Sequence, residues 1–342
     1  MSAGAAPPLR FAAIGLDHRH IYDQVQSLLD IGGTCVGYWT DDDARPLEGF
    51  IRRFPQIPRV ADRRALLDDP SIRLFTCAAV FDERADLAIE AMRAGKDFMA
   101  DKPGVTTLDQ LARVRAVQAE TRRIWTVNFT ERFEVRAVTR ALELTRAGAI
   151  GEVVQTVGLG PHRENRQTRA PWFYDKRRYG GILADIGSHQ IDQFLMFTGA
   201  DEARIDYARA ANVAHPGDPM FEDTGEMVLA AGNARGFVQV HWFTADGLST
   251  WGDGRLFVVG TEGTIELRKY VDIAGRPGKD HLFLVDRHET RHIDCTDADL
   301  PYYANLARDV VDRTETAMAQ AHAYKVCELA LRAQAMADAA GS

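Results

Sequence analysis

Cysteine is scarce in this chain: Cys35, Cys77, Cys295 and Cys327 stand apart, with no C-x-x-C pair among them. That spacing excludes a disulfide scaffold and a thiolate zinc site, and it points to a reducing compartment, read here as the cytoplasm. Positive charge is also short. Against 49 Asp and Glu there are 41 Lys and Arg, a formal net charge of -8, with no basic cluster. Neither nucleic acid nor an anionic membrane surface is therefore expected as a partner. No apolar run approaches the roughly 20 residues of a membrane span. The opening MSAGAAPPLR lacks the charged start and apolar core of a signal peptide. Internal repeats, low-complexity tracts and flexible linkers are missing too. What remains, 46% apolar and 26% charged residues over 342 positions, is an ordinary soluble composition long enough for two domains.

Short apolar runs alternate with helical patterns through the first 130 residues. LRFAAIG (9–15), TCVGYW (34–39), IRLFTCAAV (72–80), DFMADKPG (97–104) and RIWTVNF (123–129) read as strands. Helical spacing covers 20–29, 47–54, 83–95 and 107–122, with Gly95 as a stop. Strands joined by crossover helices predict an α/β fold: a Rossmann-type, doubly wound parallel sheet over 8–129, with a ligand crevice at the strands' carboxyl ends. From 130 to 342 the pattern changes. A helix over 135–147, a strand over 151–160 and a helix over 183–198 precede EMVLAAG, GFVQVHWF, RLFVVGTEGTIEL and HLFLVDRHETRHID. Their apolar/polar alternation predicts a large, open, mostly antiparallel sheet. A helix over 317–337 closes this second α/β domain and is free to return to the first.

Within GGILADIGSHQIDQFLMFTG (180–199), Asp185, His189 and Asp192 are spaced four and three apart, so a continuous helix would stack them on one face. Ile191, Phe194 and Leu195 would face the core. A histidine flanked by carboxylates suits general acid/base work near neutral pH; a solvated polar face is the competing reading. No second ligand group accompanies the set, so no metal site is expected. Lys102, in ADKPG (100–104), follows a parallel strand at its ligand-binding end, where an ammonium can polarise a substrate oxygen, and Pro103 restrains it. A surface lysine in a turn is the alternative.

Taken together, DKPG, NFTERF (128–133), AGAIGEV (147–153), the 180–199 segment, EDTGEM (222–227) and GTEGTIEL (260–267) occur in the order and spacing of one family. The chain resembles the Gfo/Idh/MocA oxidoreductases, the family of glucose–fructose oxidoreductase and inositol dehydrogenase, from about Arg10 to Ala337. The resemblance implies an N-terminal domain binding NAD or NADP and a C-terminal domain carrying a sugar or polyol. It makes Lys102, Asp185 and His189 catalytic. His189 takes a hydroxyl proton as hydride moves to nicotinamide, Lys102 polarises the oxygen, and Asp185 orients His189 or binds a neighbouring hydroxyl. Asp192 matches a substrate-facing position. In the loop GPHRENRQTRAPWF (160–173), arginines suit a carboxylate and tryptophan a sugar ring, which marks Arg163, Arg166 and Trp172 as substrate contacts. The family's open sheet usually packs on another subunit, which implies a homo-oligomer, a dimer or tetramer.

The cofactor side departs from the family pattern at three places. In GLDHRH (15–20) only Gly15 survives of three fingerprint glycines; Asp17 and His20 replace the others, leaving His18, Arg19 and His20 to offset the added negative charge. At the end of the second strand Thr40 takes the acidic position, and Asp41 just after it, or Asp42, is expected on the ribose, favouring NAD over NADP. AVFDER (79–84) replaces the family's TPNxxH, with Val80 and Arg84 at cofactor-facing places, and Asp101 and Lys102 complete that side. Two alternatives stay open: a lyase or glycosidase on the same scaffold with transient or no net redox change, and a non-catalytic sugar-binding relative that has lost the cofactor.

Overall fold

The computed structural model describes residues 8–340; residues 1–7 of the segment judged unlike a signal peptide lie outside them. Strands β1 (Arg10–Ile14), β2 (Thr34–Trp39), β3 (Leu74–Cys77), β4 (Asp97–Asp101) and β5 (Trp125–Asn128) form a parallel sheet in the order β2-β1-β3-β4-β5. Beyond β2, Tyr38 makes one parallel bridge to Arg59, a rudimentary outer strand. The chain moves outward from β1 to β2, then returns to β3 on the other side of β1. That reversal opens a crevice above the carboxyl ends of β1 and β3. Helices cover both faces, so β3, β4 and β5 are buried at every residue. Burial on both sides is why these strands read as apolar runs without alternation.

Eight further strands form the second sheet: β6 (Val153–Pro161), β7 (Arg204–Ala211), β8 (Thr224–Ala231), β9 (Ala234–His241), β10 (Arg255–Gly260), β11 (Thr264–Arg268), β12 (His281–Val285) and β13 (Thr290–Ile293). Their order is β13-β12-β11-β10-β6-β9-β8-β7, antiparallel except for the β6–β9 pair. On one face Leu256, Val258, Ile265, Leu267, Leu282 and Leu284 pack with Val138 and Ala141 of the helix Arg136–Arg146. The opposite face carries an in-register row, Tyr207, Val228, Phe237, Val157, Phe257, Glu266 and Phe283. Tyr207 and Phe237 are 45% and 41% exposed.

Two elements go beyond the sequence reading. β7 buries only Ala208 and shows arginines and aspartate elsewhere, so the alternation that reveals a half-buried strand is weak at this sheet edge. The helix Tyr302–Asp312 buries Tyr302, Leu306 and Val310 at regular spacing. A correction concerns the segment expected as one helix over 183–198: it is two, Ile182–Asp185 and Gly187–Thr198. The last helix, Gln320–Ala340, joins the two sheets. Gln320 Oε1 accepts the Trp125 amide of β5 at 3.0 Å and Tyr324 stacks on Trp125, while Gln334 Oε1 accepts the Leu183 amide at 3.1 Å.

Gly15 ends β1 with φ of +70°, and a Cβ there would lie 2.3 Å from the Ala79 Cβ. Left-handed backbone at a non-glycine and overpacking each cost about 1–3 kcal/mol. Gly15→Ala is expected to lower the urea midpoint accordingly; an unchanged midpoint would show that β1 and β3 can separate at this turn.

Candidate active site

Lys102 lies immediately past β4, before a cis peptide to Pro103. Its Nζ is 2.5 Å from Asp185 Oδ1, and both side chains are buried. Asp185 ends the short helix Ile182–Asp185, whose first amides are held by Glu222 Oε2 and Gln334 Oε1. One turn later His189 is 1% exposed, its ring edge-on to Phe129. Burial drives its pKa down to about 3; the Glu131 carboxylate opposes this and the Lys102 ammonium adds to it. A neutral imidazole results, able to accept a proton. Asp185 Oδ2 and His189 Nδ1 are buried without a hydrogen-bond partner among the described residues, as expected of groups that meet a ligand or water.

The competing reading of a solvated face does not hold: Asp185, His189 and Asp192 are all buried. Asp192 Oδ1 accepts from Arg132 at 2.8 Å and meets His322 Nε2 at 2.7 Å, so it clamps three segments together. Asp185 is spent on Lys102 rather than on orienting His189. The carboxylate acting most strongly on His189 is Glu131, which the sequence reading did not single out. Glu131 Oε2 accepts from Lys269 Nζ at 2.6 Å and Gln190 Nε2 at 2.9 Å. Burial pushes its pKa up, but Lys269, His189 and His162 prevail and bring it down to about 2. His162, also missed, ends β6's approach to the site between Trp242 and Trp251, and burial lowers it to about 3. Both lie within stretches already quoted, NFTERF and GPHRENRQTRAPWF, but only the fold shows which buried charges they meet.

Several residues assigned to the cofactor are turned inward instead. Arg84 is fully buried: Nε donates to Ala79 O at 2.8 Å, and one terminal nitrogen donates to the Asp101 and Lys102 carbonyls. It ties the β3 loop to the Lys102 turn and so positions the lysine. Asp101, also fully buried, meets Arg84 at 3.3 Å and the Nδ1 atoms of His18 and His20 at 2.9 Å each. Burial and the neighbouring His20 hold His18 well below its ordinary pKa, with Asp101 opposing. His18, His20 and Asp101 are residue types that ligate metals, but the Arg84 guanidinium already neutralises the shared carboxylate. Thr40 is 2% exposed and its Oγ1 accepts the Leu16 amide at 3.0 Å, so it braces the turn rather than facing a ribose. Val80 is buried beneath the same loop.

Gly15, Asp17, Asp41, Glu83 and Arg63 do line a cleft of about 500 Å³ beside the end of β2. No side chain caps the helix Ile21–Asp30 at its mouth, beside Arg19 and His20. Burial, then Glu83 and Asp41, raise Asp17 from 3.8 to about 7. In the substrate loop, Arg163 donates to the Ala245 and Leu248 carbonyls and pairs with Asp246. Arg166 pairs with Asp218 at 2.6 Å and covers Tyr174. Arg163 and Arg166 thus tie the 160–173 loop to two neighbouring segments, 245–248 and Asp218. Trp172 rests on Phe81, whose ring belongs to the β3 loop.

A model of the GFO/IDH/MocA C-terminal domain matches residues 138–266. The crystal structure of an Erwinia carotovora atroseptica protein described as an oxidoreductase superposes with a TM-score of 0.93 at 46% identity, covering 96% of this chain and 98% of that one. Levoglucosan dehydrogenase of Pseudarthrobacter phenanthrenivorans is 28% identical over 151 residues, 43% of this chain. The matched stretch spans only 38% of that relative's length. The structure of levoglucosan dehydrogenase in complex with NADH and levoglucosan shares the fold, with a TM-score of 0.80 and 19% identity over 98% of both chains.

Folded Asp17 keeps its proton to about pH 7, whereas the unfolded carboxyl releases it near 3.8. The folded state therefore binds more protons in that window, and its stability falls as pH rises through it. Thermal unfolding should show Asp17→Asn gaining on the wild type between pH 5 and pH 8; a pH-independent difference would refute this account of Asp17.

Proposed function

The chain belongs to the Gfo/Idh/MocA family, and from that premise we propose that it is an NAD(P)-dependent oxidoreductase acting on a secondary alcohol of a sugar, cyclitol or sugar acid. One observation carries the reading. Lys102, from the parallel-sheet half, and Asp185 with His189, from the other half, meet in one buried cluster at the carboxyl end of β4. We read the chain as two domains, divided near 129/130, with the crevice between them. His189, neutral at physiological pH, takes the hydroxyl proton; Lys102 donates to the same oxygen and stabilises its developing charge. Asp185 restrains the ammonium, and Arg84 fixes the turn that carries it. Buried in this way, the groups exclude water from the reacting carbon.

The residues fit a dinucleotide. Gly15 allows the tight turn a diphosphate site needs, while the first amides of the helix Ile21–Asp30 are taken by the carbonyls of His18, Arg19 and His20; Asp41 suits a ribose diol and repels a 2′-phosphate, which favours NAD over NADP. A bound nicotinamide would supply the hydride acceptor or donor. Asp17, Asp82, Glu83 and Asp86 are unfavourable acids along this cleft; burial, then Glu83 and Asp41, raise the pKa of Asp17 to about 7, which lessens its negative charge. Levoglucosan dehydrogenase, which shares the fold, is captured with NADH and a sugar; this supports net redox chemistry over the lyase and binding-only readings.

Two coarser points belong to the same reading. No helix among the described residues is long and apolar enough to cross a membrane, and the four cysteines are free, which supports the cytoplasm. The apolar row across the open sheet face supports a homo-oligomer built on that face.

His189→Ala should lower kcat by roughly 100-fold or more while calorimetry still shows NAD binding. Near-wild-type turnover would remove His189 from the mechanism, and failure of the wild type to bind either NAD or NADP would end the dehydrogenase reading. Phe237→Glu should convert the oligomer to monomer by light scattering; a wild-type monomer would contradict the assembly.

A further inference from the structure

Five arginines stand between positions 163 and 178, and four have carboxylate partners. Arg163 pairs with Asp246, Arg166 with Asp218, Arg177 with Asp175 and Arg178 with Glu83. Arg169 has no ion-pair partner among the described residues. Its Nε donates to Glu164 O at 2.9 Å, and its guanidinium lies 4.3 Å from the Phe173 ring centroid and 5.0 Å from that of Trp242. The neighbouring acids are engaged with other groups, except that Asp185 Oδ2 has no hydrogen-bond partner among the described residues. Glu164 Oε1 accepts from Tyr174 and Arg166 and its Oε2 meets His215, while Asp185 Oδ1 holds Lys102.

Burial is the main influence lowering the pKa of Arg169. The strongest opposing one is Asp185, and Arg19 of the β1 turn adds repulsion. Ring contacts place the cation beside the catalytic cluster: Trp242 beneath it meets His162 at 5.3 Å, and Phe173 meets Trp172, which rests on the Phe81 ring 5.8 Å from Lys102 Nζ. A partly buried guanidinium without a counter-ion is unfavourable, and aromatic faces offset only part of the cost. Its planar fork matches a carboxylate bidentately.

We infer that Arg169 binds a carboxylate of the substrate, so that the substrate class is a sugar acid, an aldonate or uronate, rather than a neutral sugar or cyclitol. The inference rests on the oxidoreductase reading for the position of the reacting hydroxyl, but not for the anion site itself. Both rings beneath Arg169, Phe173 and Trp242, belong to the half that carries His189. That favours a substrate carboxylate over a cofactor diphosphate as the anion.

The test has two arms. In the first, NAD reduction is followed with D-gluconate and D-glucuronate beside D-glucose and myo-inositol, for wild type, Arg169→Gln and Arg169→Lys. The acids should be preferred, and Arg169→Gln should cut their kcat/KM by roughly 100-fold, mainly through KM, with neutral substrates unchanged and Arg169→Lys intermediate. In the second, the same acids and neutral analogues are titrated into each protein by calorimetry, alongside NAD. Acid binding lost in Arg169→Gln with NAD affinity intact supports the inference even without turnover. An unchanged acid-to-neutral ratio overturns it, as does weakened NAD binding with unchanged acid binding, which would assign the anion to the diphosphate. Turnover of neutral substrates alone overturns it while upholding the oxidoreductase reading; that reading fails separately if NAD and NADP do not bind.

Discussion

A buried ammonium must have a counter-charge, and the contact between Lys102 and Asp185 supplies one across the two sheets. Desolvating both groups is costly, and removing either partner alone from such a pair typically costs about 3–5 kcal/mol. The surrounding structure is arranged to hold the contact. Arg84 pins the carbonyls of Asp101 and Lys102 from below. Glu222 and the last helix hold the first amides of the Asp185 turn from the other side. His189 takes its neutral state from the same dehydrated environment. The chemistry proposed for the site is thus a consequence of what it takes to close two domains over a charged pair.

A second buried set lies behind the first. Glu131 accepts from both Lys269 and Gln190 in a buried network that acts on His189 electrostatically. Glu131 works against the desolvation of the imidazole, while Lys102 works with it, so the basicity of His189 reflects a balance between the two networks. At the cofactor end the balance runs differently. Asp101 draws His18, His20 and Arg84 inward, which takes the basic side chains nearest the fingerprint turn away from the cleft. Asp17, Asp41 and Glu83 remain along its wall, and burial first, then repulsion from Glu83 and Asp41, raises Asp17.

How much was legible in the sequence depended on the range of the interaction. TCVGYW became β2 at the expected residues, and the Lys102 turn falls at the carboxyl end of β4 as read. Both follow from patterns a few residues long. The helix break at Ile186 was hidden, because apolar residues on every side of 182–195 are buried and periodicity fades when no face is solvated. The roles of Arg84 and Thr40 were misread for a related reason. Position along a motif says that a side chain is near the crevice, but not whether it points into it or into the protein.

By itself, the chain's alternation of apolar runs and helical spacing determined a parallel sheet followed by an antiparallel one, and placed a lysine and a histidine where those sheets end. These are local properties, since burial of a strand or helix face depends on neighbours one to four residues away. Only the tertiary structure decided which charges are paired. Arg163 and Arg166 are paired with neighbouring segments, Arg169 has no ion-pair partner among the described residues, and Glu131 is the carboxylate that acts most strongly on His189. Coulomb energy depends on separation in space and on dehydration, and neither quantity is written in the distance between residues along the chain.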